Sequence, residues 1–205
     1  MRDIHKEEPY CEHVESIMGY LGDIACATFL GFDPKAMIKQ MLIDTECLKH
    51  RDTHDLNYNN CNIDVKIEDY SSYHNKVING TIKVTEPYGC RLINKDQWEQ
   101  NGHNIDYYVF GTTEYQLSNS YKLKDVKNIY FIGFLSHEEL EKYSFSKKTP
   151  ANKELWKPAK IIPNEDLKDM NLLKNIRCNR ETNNFNKNIF SDCENILEEL
   201  DKLWN

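Results

Sequence analysis

The sequence predicts an α/β fold with a mixed sheet flanked by helices, and three observations carry that expectation. Apolar residues recur at helical spacing from Val14 to Phe29, polar and apolar residues alternate on either side of Asn59-Asn60, and two later apolar runs read as buried strands. The 205 residues, 40% of them hydrophobic, are enough for one domain with a sizeable core.

In the first helix Val14, Ile17, Met18, Leu21, Ile24, Ala25 and Phe29 form the apolar stripe. At 100° per residue Asp23 falls nearly opposite its centre, whereas Glu15, Gly19, Gly22 and Cys26 flank its edge. Residues 36–43 suit a short helix, and Asp52-Thr53 lead into the next element. With Asn59-Asn60 as a two-residue turn, Asp55 pairs with Asp64, Leu56 with Ile63, Asn57 with Asn62 and Tyr58 with Cys61. Leu56, Tyr58, Cys61, Ile63, Val65 and Ile67 then share one face, and Asp55, Asn57, Asn62, Asp64 and Lys66 share the other.

Asn79-Gly80 reads as a second hairpin turn, between residues 76–78 and 81–84. Asn94 is a candidate N-cap for a helix through Gln100 that Gly102 would stop. The buried strands follow at residues 106–111 and 129–135, and Ser136 with Glu139 forms a capping box for a helix over residues 138–143. Pro150, Pro158 and Pro163 suggest a returning loop, with Ile161-Ile162 as an edge strand before a helix starting near Glu165. A second capping box, Ser191 with Glu194, opens a terminal helix whose stripe is Cys193, Ile196, Leu197, Leu200, Leu203 and Trp204. Residues 1–145 thus form the expected core and residues 146–205 a C-terminal extension packed on it.

Paired hairpin carboxylates at about 5 Å repel unless something positive lies between them. A divalent cation satisfies that need, and carboxylate and carbonyl oxygens suit Mg²⁺ or Mn²⁺. Lys66 stands beside them to hold an anion or a water. That combination suggests phosphodiester hydrolysis. A glycosidase also uses two carboxylates, but adjacent hairpin positions beside a lysine suit a metal better than a sugar ring.

Asp55 and Asp64-Val65-Lys66 resemble the PD-(D/E)xK nuclease superfamily, with His54 standing where that family often has proline. The resemblance covers residues 12 to about 140 and implies a restriction-endonuclease-like αβββαβ core. It further implies that Asp55, Asp64 and the Val65 carbonyl bind Mg²⁺ or Mn²⁺ and that Lys66 is catalytic. Gly19-Tyr20-Leu21-Gly22-Asp23 is similar to the family's G-x-x-x-E helix pattern, which favours Asp23 as a further acid, whereas the helical wheel favours Glu15. The implied partner is nucleic acid, preferably DNA, and a homodimer would supply two sites for double-strand cleavage. The alternative is a non-catalytic nucleic-acid-binding or assembly module on the same fold.

A net charge of −7 is unusual for a protein that binds phosphates, so a local basic groove is required. Lys147, Lys148 and Lys153, or Lys174, Arg177 and Arg180, are the candidates. Seven scattered cysteines without C-x-x-C spacing point to reduced core thiols, and Cys11-x-His13 lacks a second pair for zinc. No apolar run reaches the length of a membrane span, and no signal segment is evident, so the expectation is a cytoplasmic protein without a membrane partner.

Overall fold

The computed structural model describes residues 9–38, 55–69, 73–113 and 128–178. In chain order its elements are α1 (Pro9–Phe29), β1 (Leu56–Tyr58), β2 (Cys61–Asp69), α2 (His74–Ile78), β3 (Cys90–Asn94) and α3 (Lys95–Asn101). They continue with β4 (Tyr107–Thr113), β5 (Ile129–Ser136), α4 (His137–Glu141), β6 (Phe145–Lys148) and β7 (Glu154–Pro163). Among the described residues no helix is long and apolar enough to cross a membrane.

β1 and β2 pair antiparallel as Leu56↔Ile63, Asn57↔Asn62 and Tyr58↔Cys61, the register that the alternation predicts. Asn59 and Asn60 take φ of 51° and 65°. A two-residue turn with both φ values positive matches the twist of the strands it joins, and Asn tolerates that conformation. β2 continues beyond the end of β1 and pairs in parallel with β4, from Ile63↔Tyr107 to Asp69↔Thr113. β4 pairs antiparallel with β5, which completes a mixed sheet of order β1-β2-β4-β5. A parallel pair needs a crossover, and here it contains α2, β3 and α3.

Both faces of this sheet are covered. Ile63, Val65, Val109 and Phe134 pack on one side with Cys26 and Ala27 of α1 and with Met170, Leu173 and Ile176. Tyr108, Phe110 and Leu135 pack on the other with Ile93, Leu140 and Ile162. Ile93 and Ile162 come from a second, antiparallel sheet of order β3-β7-β6.

Several local expectations are corrected. Residues 74–78 are helical, so Asn79-Gly80 is no hairpin turn; Gly80 at φ +64° ends α2, a use of positive φ as common as the turn. Two positions are as expected, since Asn94 is the N-cap residue of α3, without a side-chain cap bond, and Gly102 is its C-cap, leading into a 3-10 turn at Gly102–Asn104. Residues 154–163 form a strand where a loop with a short edge strand was expected, and β7 is central in its sheet. Its prolines are tolerated by position: Pro158 lies past the end of β3 and at an irregularity opposite β6, and Pro163 is the last strand residue. Near Glu165 there are 3-10 turns, at Asn164–Asp166 and Met170–Asn175.

The Ser136–Glu139 capping box forms as expected, on a helix that ends at Glu141. Cys61 and Cys178 are joined in a disulfide, which corrects the expectation of reduced thiols throughout; Cys26 and Cys90 are free and buried. Of the short helix expected at 36–43, residues 34–38 are helical and the rest lie outside the described residues, as does the helix opened by Ser191.

Candidate functional site

The start of β1 at Leu56, opposite Ile63, creates the site. Past Ile63, one edge of β2 has no partner strand among the described residues, and residues from both sides of the sheet meet there. The Asp55 N–H donates to the Ile63 carbonyl at 3.0 Å, one residue away from the expected pairing with Asp64. This turns the Asp55 side chain in along the edge, where its Oδ2 accepts from the Val65 N–H at 2.6 Å. The N–H and C=O of one strand residue point to the same side. The Val65 carbonyl is therefore on the Asp55 side of β2 too.

Asp64, Lys66 and Glu68 share one face of β2, by alternation. Lys66 Nζ lies 2.6 Å from Asp64 Oδ2, and both side chains retain some exposure, at 25% and 16%. Asp64 also comes within hydrogen-bonding reach of Asp55. Burial, and then the charge of Asp64, push the Asp55 carboxyl up to about 7, against the opposing pull of Lys66 and the Val65 amide.

Asp23 arrives from α1 on the opposite face. The helix buries Met18, Gly22 and Cys26, with Asp23 and Ala27 beside them, so its inward side is a line of mostly small residues. A Cβ on Gly22 would overlap Ile67 Cγ1 and stand 3.4 Å from Val65 Cγ1. This close approach puts the next residue, Asp23, at the open edge, only 8% exposed. Burial, then Asp55 and Asp64, push its carboxyl up to about 8, and Lys66 opposes them. Its Oδ1 is buried without a hydrogen-bond partner. The helical wheel's preference for Glu15 is not supported at Asp23, which is buried rather than solvated. The side chain of Glu15, like those of Cys11 and His13, lies outside the described residues.

Gly22→Val is accordingly expected to force α1 away from β2. The cost of such overpacking is about 1–3 kcal/mol, readable as a lower thermal midpoint, while Gly22→Ala should cost less. An unchanged midpoint for Gly22→Val would contradict the close helix–strand contact.

Sequence reasoning missed two neighbours. Glu68 follows from extending the Asp64, Lys66 alternation by one step, and its Oε2 lies 3.4 Å from Arg91 Nη1. Arg91, 1% exposed on β3, also donates to Asn164 Oδ1 at 2.8 Å and to the Tyr88 carbonyl. No local pattern announces a buried arginine that meets β2 from another sheet.

Among the described residues no three His, Cys, Asp or Glu side chains stand as a ready-made metal cage. Mg²⁺ does not require one, since it keeps several waters and binds through one or two carboxylates. The donor set fits: oxygen donors only, two carboxylates in mutual reach, a backbone carbonyl on the same side, and a third, buried carboxylate with an unsatisfied oxygen. No protein-family model matches the sequence, no curated protein matches it, and no solved structure matches the fold.

Proposed function

We propose that the chain is a metal-dependent nuclease of the PD-(D/E)xK type with a restriction-endonuclease-like core, acting preferably on DNA. The observation that carries this reading is the convergence of Asp23, Asp55 and Asp64 with Lys66 at the open edge of β2, where burial, and then the neighbouring acids, raise the proton affinity of Asp23 and Asp55. Like charges held together without a cation cost stability, and a site that tolerates them is characteristic of function.

In this reading Asp55, Asp64 and the Val65 carbonyl hold Mg²⁺ or Mn²⁺, and Asp23 adds a direct or water-mediated contact. The bound ion supplies Lewis-acid polarisation of the scissile phosphate and a water of lowered pKa. The Val65 amide fixes the Asp55 carboxylate, so its orientation is set before any ligand arrives. Lys66 neutralises Asp64 in the free protein and is placed to stabilise negative charge developing on the phosphate or to orient the attacking water. Its role in this reading is that of a charge partner. Arg91 positions Glu68 on the same strand face.

The test is incubation of the protein with circular DNA, linear DNA and RNA, in Mg²⁺, Mn²⁺ or EDTA. Cleavage with metal and none with EDTA is expected, stronger on DNA. Binding of nucleic acid with no cleavage under any condition would instead favour a binding module.

A further inference from the structure

We infer that the β6–β7 hairpin is a binding arm for single-stranded nucleic acid, with Lys147, Lys148 and Lys153 holding phosphates and Trp156 stacking on a base. The inference rests on the nuclease reading for its biological sense, though not for its physical argument. Residues 142–160 carry six lysines against one glutamate, in a chain whose net charge is −7. The segment is thus locally basic within an acidic chain.

The lysines there are not equivalent. Lys160 is buried and donates to the carbonyls of Leu140 and Tyr143, and Lys157 pairs with Asp96 at 2.5 Å. Lys147, Lys148 and Lys153 are exposed, and among the described residues none has a carboxylate within 4.0 Å. Lys76, Lys95 and Lys168 do have such partners, whereas the exposed Lys35, Lys83, Lys142 and Lys174 have no carboxylate so close among the described residues either, so what sets the hairpin lysines apart is that three of them lie on one short hairpin. Three unpaired cations at one hairpin favour a polyanion.

Trp156 adds the chemical identity. It is 91% exposed on β7, with Lys157 Nζ 5.0 Å from its ring centre. A free indole beside cations is a stacking platform for an unpaired base. The arm is also preformed, because Thr149 and Lys153 close its tip through the Thr149 N–H to Lys153 carbonyl bond at 3.0 Å, and Lys153 N–H donates back to Thr149 Oγ1. The same strand reaches the acid cluster's side of the molecule: Ile162 of β7 pairs with Arg91, which contacts Glu68. Ile162 is six residue steps along β7 from Trp156, about 20 Å. The arm therefore contributes affinity at a distance from the cleavage chemistry.

The experiment measures binding of a fluorescent single-stranded DNA about 16 nucleotides long, in EDTA, to the full chain. The variants are Lys147→Glu/Lys148→Glu/Lys153→Glu, Trp156→Ala and Trp156→Phe, each checked for an unchanged thermal midpoint. The triple variant is expected to bind at least about tenfold more weakly, with the slope of log K against log salt reduced by about 2. Trp156→Ala should weaken binding roughly 5- to 150-fold, and Trp156→Phe should retain most of it. Wild-type affinity in the triple variant and in Trp156→Ala, or no binding of any oligonucleotide by the wild type, would overturn the inference. Binding that depends on the arm in a protein that cleaves nothing would leave the inference standing and remove the nuclease reading.

Discussion

Asp64→Ala is expected to lower metal-dependent DNA cleavage by about 10³-fold or more, because in the proposed mechanism it removes a carboxylate that would hold the cation, an interaction worth several kcal/mol at the transition state. Lys66→Ala should lower it by about 10²–10³-fold, the usual consequence of removing a donor aimed at developing charge. The fold should be nearly indifferent to both. The Asp64–Lys66 pair is partly exposed, and such pairs contribute only about 0–1 kcal/mol. Single-turnover cleavage rates beside thermal melts separate the two effects. A variant that stays folded and cleaves at the wild-type rate would remove its residue from the mechanism, and one that unfolds would make it structural.

The second large effect concerns pH. The carboxyl of Asp23 moves from an ordinary 3.8 to about 8, and that of Asp55 to about 7, in the folded protein. A carboxyl raised on folding binds more protons in the native than in the unfolded state between those values, so native stability falls as pH rises through that window. The metal-free protein should therefore be more stable near pH 5 than near pH 8. Each pKa unit corresponds to about 1.4 kcal/mol, so even a quarter of the Asp23 shift exceeds about 1 kcal/mol. Asp23→Asn should flatten this slope and stabilise the metal-free protein at pH 8. Mn²⁺ competes with the same protons, so its stabilising effect should grow with pH. Thermal melts in EDTA and in Mn²⁺ across this range are the measurement. A metal-free protein that gains stability from pH 5 to pH 8 would contradict the burial and charge repulsion that raise these two carboxyls.

The hairpin was legible because its determinants are local. Two residues that tolerate positive φ flank strict alternation, and register follows from those facts alone. The positions of Asp64 and Lys66 on one face followed from that register. Asp55 was legible as a neighbour of Asp64 but not in its detail, since the shift of its N–H to Ile63 occurs where the ladder stops, just before β1 begins at Leu56. Asp23 was hidden from the helical wheel because large apolar residues were taken to mark the buried side. The helix instead buries Gly22, Cys26 and Ala27, whose small size permits the approach to β2. The second sheet was less visible, because β3 and β7 meet across more than sixty residues of chain and residues 154–163 contain prolines that read as loop. The Cys61–Cys178 disulfide, separated by 117 residues, and the Arg91–Glu68 contact are non-local in the same way. The mixed α/β character was readable from the sequence. The partition of its strands between two sheets was set by packing of Ile93 and Ile162 on Tyr108 and Phe110.

The central claim is that these acids form a cation site, and calorimetric titration of Mn²⁺ into the protein at pH 8, beside Asp55→Asn and Asp64→Asn, tests it most directly. Saturable binding by the wild type, strongly weakened in both variants, with protons released on binding, is the predicted result. No binding by the wild type, or equal binding by all three proteins, would contradict the claim.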